Sequence, residues 1–166
     1  MKIEIRDIEA GDLEGVLALN QAAVPHVNSV PIAQIETFLR EAAYFRVALV
    51  DGVLSGFLVG LTPDADYGSP NFRWFRQRYD AFGYIDRVAV AETARRDGLG
   101  SALYQDFERR FAGHVPRLAC EVNLRPPNEP SMRFHRRHGF VQVGEQAADG
   151  KVVAMMIKHL GTDRPS

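Results

Sequence analysis

The sequence predicts a mixed α/β (α+β) fold, with one domain over residues 1–160 and a short frayed tail at 161–166. Three observations carry that expectation. Apolar runs of strand length alternate with amphipathic helical segments along the chain. Asp51-Gly52 stands between two β-rich runs, a strong hairpin signal. From Val88 to Leu103 an apolar strand runs into a glycine-containing basic turn that opens into a helix, where Leu99, Leu103, Phe107 and Phe111 recur every four residues. With 166 residues, 46% of them hydrophobic and 25% charged, the chain can bury a sizeable core.

The elements follow in order. Lys2–Ile8 alternates like a strand and lacks a signal-peptide core, which points to a cytoplasmic protein. Leu13, Val16, Leu17 and Leu19 mark a helix from Asp12 to Ala23, and a second helix follows Pro31 over Ile32–Glu41. Tyr44–Val50 and Val53–Leu61 are the hairpin strands. Between Thr62 and Asp80 lies a connection rich in aromatics: Tyr67, Phe72, Trp74, Phe75 and Tyr79. Phe72, Phe75 and Tyr79 have helical spacing, so a short helix is expected there, to roof an acceptor site, enter a dimer interface or pack on the sheet. Tyr84–Val90 is a strand, Gly98–Ala112 its helix, and Arg117–Asn123 the next strand. A helix then begins at Asn128, a good N-cap, tolerates Pro130 in its first turn, and ends at His138. Arg136, Arg137 and His138 suit its negative end, and Gly139 suits a left-handed cap with Phe140 folding back toward Phe134. Phe140–Gly144 and Val152–Lys158 complete the strands, joined through residues 147–150.

Charge and cysteine usage narrow the function. A net charge of −1 and a pI near 6.5 give no electrostatic case for nucleic acid or a membrane as partner. Arg greatly outnumbers Lys, which permits phosphate contacts. The one cysteine, Cys120, excludes an internal disulfide and a zinc cluster, and its apolar run Leu118–Val122 reads as core. No apolar run approaches transmembrane length.

The turn after Val90 carries the chemistry. A helix N-terminus presents backbone N–H groups at the positive end of its dipole, and Gly98 and Gly100 lack the Cβ that would keep a phosphate away. A nucleoside-triphosphate loop needs Lys and then Ser or Thr after its last glycine, whereas Gly100 is followed by Ser101-Ala102. A dinucleotide fingerprint wants Gly or Ala where Leu103 stands, which disfavours a dinucleotide-dependent reductase, although Glu121 lies near the distance of a ribose-binding acid. Arg95-x-x-Gly98-x-Gly100 resembles the acyl-coenzyme A signature of the GNAT superfamily of N-acetyltransferases. Asn128, Gly139 and Phe140 stand at the spacing of that family's later helix motif, which departs from the pattern at one point: His135 replaces a Tyr.

The resemblance implies a GNAT fold, a mixed and mostly antiparallel sheet of about seven strands with about four helices, strands four and five splaying around acetyl-CoA. It implies acetyl transfer to a primary amine of a small molecule or peptide by direct attack in a ternary complex, with no metal. A backbone N–H of Val88 or Ala89 would hold the thioester carbonyl and Val90 would pair with the pantetheine arm. Arg95, Arg96, Asp97, Gly98, Leu99, Gly100 and Ser101 would hold the pyrophosphate, and Asn128, with Ser131 and Phe134 on its helix, would contact the cofactor. Asp86 and Glu121 are the candidate bases, acting through a water, or are ion-pair partners of Arg87 or Arg117. His135 occupies the general-acid position or is a surface histidine without a duty. Trp74, Tyr79 and Asn28 would line the acceptor site, and a homodimer is compatible with the aromatic segment. A non-catalytic acyl-CoA sensor or partner-binding domain is the alternative, favoured by the missing Tyr.

Overall fold

A computed structural model of the protein describes residues 1–148 and 150–161. The chain runs β1 (Ile3–Asp7), α1 (Leu13–Ala22), α2 (Ile32–Glu41), β2 (Tyr44–Val50), β3 (Val53–Leu61), α3 (Pro70–Arg76), β4 (Gly83–Val90), α4 (Leu99–Phe111), β5 (Arg117–Arg125), α5 (Glu129–Arg137), β6 (Val141–Ala148) and β7 (Lys151–His159). The seven strands form a sheet in the order β1-β2-β3-β4-β5-β7-β6. Each expected element is present, most within two residues of its expected bounds. β6 runs four residues past the expected Gly144 because its pairing with β7 continues to Ala148–Lys151. Asp149 of the expected 147–150 turn, and residues 162–166 of the expected tail, lie outside the described residues. Among the described residues, no helix is long and apolar enough to cross a membrane.

The chain packs as two compact units, one of Met1–Leu61 with Ile85–Arg110 and one of Thr62–Tyr84 with the described residues from Phe111 onward. In the first, Asp51 and Gly52 take φ of 49° and 82°. Positive φ at both central residues matches the twist of the paired strands, so the two-residue turn closes the β2–β3 hairpin. Val16 of α1 and Ile35 and Phe38 of α2 are buried. Helix α4 buries Leu99, Leu103 and Phe107, each worth about 1.5–3 kcal/mol of apolar transfer. Phe107 sits where Gly60 of β3 has no side chain, and Tyr44 meets its ring edge-on at 5.0 Å. The Tyr44 hydroxyl donates to Asp106 Oδ2 at 2.7 Å, and Arg46 Nη1 donates to the same oxygen at 3.0 Å. Burial, reinforced by the Asp106 carboxylate, pushes the Tyr44 phenol far above its ordinary range.

In the second unit, β5 pairs antiparallel with β7, and β7 antiparallel with β6. The parallel register of β4 on β5 is Gly83 with Leu118 and Tyr84 with Ala119, and the strands run on to Val90 and Arg125. Helix α3 starts at Ser69, whose hydroxyl accepts from the Phe72 N–H, with Pro70 in its first turn. It ends at Arg76, so Tyr79 lies beyond it, its N–H donating to Phe75 O at 2.9 Å. Phe72, Phe75, Phe82 and Tyr84 form one buried aromatic cluster. Helix α3 packs on β6 of the sheet, one of the three placements expected for the aromatic segment. Cys120 is buried core, and burial raises its thiol pKa well above the ordinary value.

Gly60→Ala would drive a methyl group into the Phe107 ring within a packed interior. The substitution should destabilise the protein by about 1–3 kcal/mol. Urea denaturation checks this, and an unchanged midpoint would mean that α4 shifts freely.

Candidate active site

Strand β4 ends in an alternation that sorts its backbone groups. The Ala91 N–H donates to Ser55 O at 2.8 Å, and the Ala89 carbonyl oxygen lies beside Gly56. Residues 89 and 91 thus turn their amides toward β3. Successive strand residues direct these groups to opposite edges, so Val88 and Val90 direct theirs away from β3. Of the two expected carbonyl holders, Val88 therefore has its N–H on the edge not used by the β3 pairing.

The chain does not pass straight from β4 into α4. A 3₁₀ stretch, Glu92–Asp97, intervenes, and Gly98 then takes a left-handed conformation with φ 78°. That conformation is costly for other residues, and a Cβ built there would meet no atom within 4 Å, so the turn is open around it. The first i→i−4 bond of α4 runs from Ala102 N–H to Gly98 O at 3.0 Å. The amides of Leu99 and Gly100 precede it and lie at the positive end of a thirteen-residue helix. Arg95 and Arg96 are exposed beside them. An open left-handed glycine, a helix start and two exposed arginines fit a diphosphate.

The two candidate carboxylates have different surroundings. Asp86 is almost fully buried and pairs with Arg87, whose Nε donates to Oδ2 at 2.8 Å. Arg87 Nη1 also donates to Asn20 Oδ1 (2.9 Å) and to the Asn28 carbonyl (3.3 Å), while its guanidinium lies over Phe38. Asp86 is thus one end of a polar cluster that anchors the segment after α1, the ion-pair alternative of the two expected for it. Asn28, an expected acceptor-site residue, is exposed and joins this cluster through its backbone. Glu121, by contrast, has neutral donors: Tyr84 Oη to Oε1 at 2.8 Å and Asn71 Nδ2 to Oε2 at 3.2 Å. Gln146 Nε2 in turn donates to Asn71 Oδ1 at 2.8 Å.

Helix α5 follows its local chemistry. Asn128 Oδ1 accepts from the Ser131 N–H at 3.3 Å, and Gly139 takes φ 91° at the far end. A cavity of about 150 Å³ opens beside this start, lined by Asn123, Pro127, Asn128, Met132 and Arg136 among others. His135 is not a surface histidine. It is 5% exposed, with Phe140 edge-on to its ring at 5.3 Å and Nδ1 2.7 Å from the Ser131 carbonyl oxygen. A carbonyl oxygen only accepts, so Nδ1 carries the proton, and any proton passed onward by the imidazole runs through Nε2. Burial pushes the His135 pKa below its ordinary 6.5, with the Ser131 bond opposing and His138 adding to the effect. Phe134 is half-buried, its ring 4.4 Å from that of His138.

Trp74 lies against Gly144 of β6, with the Arg78 guanidinium 3.8 Å from its ring centroid. The Tyr79 ring carries the guanidinium of Arg117 at 4.7 Å. Sequence reasoning missed the hydrogen bonds of Tyr84 and Asn71 to Glu121 and of Gln146 to Asn71, since these partners lie 37 to 75 residues apart and leave no local pattern.

Residues 10–140 match the Acetyltransferase (GNAT) family. The chain belongs to the GNAT acetyltransferase family. This acetyltransferase is 27% identical over 140 residues to an N-alpha-acetyltransferase of Sulfurisphaera tokodaii, covering 84% of this chain and 80% of the relative. Its fold is similar to that of Ard1 from Thermoplasma volcanium, with a TM-score of 0.77, 24% identity, and 96% and 99% of the two chains covered. It is also similar to a ribosomal-protein-alanine N-acetyltransferase from Brucella melitensis, with a TM-score of 0.71, 23% identity, and 95% and 99% covered. The protein is therefore an acetyl-CoA-dependent acyltransferase acting on an amine. Among the described residues no group of His, Cys, Asp and Glu side chains is arranged to hold a metal ion.

The buried His135 makes stability depend on pH in a definite direction. An unfolded histidine protonates near 6.5, while native His135 stays neutral to lower pH. Between these values the unfolded state binds the extra proton, so stability falls as pH drops below about 6.5 and levels off once the native ring also protonates. The urea midpoint should fall less between pH 7.5 and 5.5 in His135→Phe than in the native protein. Equal falls would show that His135 titrates alike in both states.

Proposed function

We propose that this acetyltransferase modifies the α-amino group of a peptide or protein N-terminus. The observation that carries the reading is the relationship, over 84% of the chain, to an N-alpha-acetyltransferase. The site residues divide the chemistry among them. The amine attacks the thioester carbonyl carbon, a C–N bond forms, the C–S bond breaks, and one proton leaves nitrogen while the departing sulfur gains one. The Val88 N–H stabilises charge on the carbonyl oxygen, and the Val90 backbone, on the same edge, pairs with the pantetheine arm. Arg95 to Ser101 bind the diphosphate, and Asn128, Ser131 and Phe134 contact the cofactor from α5.

Glu121 takes the amine proton through a water. What supports this is that a hydroxyl and an amide donate to its two oxygens, whereas the Asp86 carboxylate forms an ion pair with Arg87. His135 delivers the proton to sulfur through Nε2. A lowered pKa makes its protonated form the stronger donor, at the expense of its population near neutral pH.

Steady-state assays that follow free thiol, with a panel of short peptides, their N-blocked lysine-containing counterparts and small primary amines, test the acceptor. Free N-termini should have kcat/KM at least about tenfold above the other classes. A small amine turning over best would replace this reading. His135→Phe should lower kcat roughly 10²-fold with acetyl-CoA affinity unchanged. Turnover at the native rate would hand the proton transfer to water.

A further inference from the structure

We propose that Asn71 is a positioning residue for the reaction, holding the Glu121 carboxylate in one orientation, with Gln146 orienting Asn71 and the Trp74–Gly144 contact seating the helix that carries it. The inference rests on the reading of Glu121 as the base. Its geometry lies within one compact unit of the chain.

The sheet register places the participants on one face. Glu121 of β5 is opposite Met155 of β7, and Met155 is opposite Gly144 of β6. Residues aligned across neighbouring strands project to the same side, and Gln146, two residues beyond Gly144, returns to that side. Helix α3 covers it. A Cβ on Gly144 would stand 2.6 Å from Trp74 Cζ2, so α3 sits this close only because residue 144 is glycine. Asn71 lies three residues before Trp74, on the same side of the helix. Its amide reaches Glu121 with one end and Gln146 with the other.

The chemistry fixes the direction of this chain of bonds. An ionised carboxylate only accepts, so Asn71 must turn its NH₂ group toward Glu121. Its carbonyl oxygen then faces Gln146, which must donate. Tyr84 supplies the donor to the other carboxylate oxygen, and Phe72 and Phe75 of α3 pack on the Tyr84 ring at 5.3 and 5.9 Å. One short helix therefore governs the donors to both oxygens. Rotating the carboxylate about its last bond would break both contacts together. A base held this way is presented to the reaction in one geometry, which is where a misplacement of about 1 Å is costly.

A double-mutant cycle tests the inference. Asn71→Leu keeps the volume and removes the hydrogen bonds. Alone, it should lower kcat at least about tenfold while the KM for acetyl-CoA stays unchanged; in a Glu121→Gln background, itself slow, the same change should cost less than about twofold. Thermal unfolding of each variant shows whether the fold is kept. If Asn71→Leu does not fold, Gln146→Leu carries the same cycle, with a smaller loss of about threefold that also vanishes in the Glu121→Gln background. Equal losses in both backgrounds, or native kcat in the folded variants, would overturn the positioning role and leave Glu121 as the base. Native kcat in Glu121→Gln would overturn the base reading and this inference with it.

Discussion

A phenylalanine ring occupying the space left by a missing Cβ sets the position of the turn proposed to bind the cofactor. Phe107 packs over Gly60, and Tyr44 and Arg46 hold the adjacent Asp106 from the strand beside it. Helix α4 is thereby gripped on an apolar and a polar side at once. A helix is stiff, so its N-terminus, with Gly98 to Ser101, is carried to a fixed place relative to the end of β4. Gly98 takes the left-handed conformation from which the chain enters the helix, one that is costly for other residues.

The same device recurs where the acceptor chemistry is proposed. Trp74 fills the space above Gly144, and the helix so seated brings Asn71 to Glu121. Close packing makes such seats unforgiving, since an interior with few voids transmits a displaced ring to everything attached to it. An apolar contact in this way controls polar groups that it does not touch.

Asp86 and Glu121 show how surroundings assign different work to like side chains. Both lie on strands that the family pattern marks as relevant, and both have an arginine nearby in sequence or space. Asp86 is joined to Arg87 within a cluster that includes the buried Asn20. Removing either charge would leave the other buried and uncompensated, which suits an anchor better than a group that must gain and lose a proton. Glu121 accepts from a hydroxyl and an amide, which orient its two oxygens.

The amino-acid order by itself determined the elements and the glycine turn that opens α4. Each depends on local physics: Asp51-Gly52 needs two positive φ values, Gly139 a left-handed cap, Asn128 an N-cap bond three residues on, and the Leu99–Phe111 stripe a period that any helix would show. These signals lie within a few residues of one another. The 3₁₀ stretch Glu92–Asp97 escaped because its composition suits a turn as well. That Asp86 pairs with Arg87, that His135 lies inside the fold, and that Asn71, held by Gln146, reaches Glu121 were decided only by the tertiary structure. Their partners come from strands and a helix brought together by the sheet register and by the close approach at Gly144. The spacing of residues along the chain holds no record of such an approach, because it depends on the packing of side chains far apart in sequence.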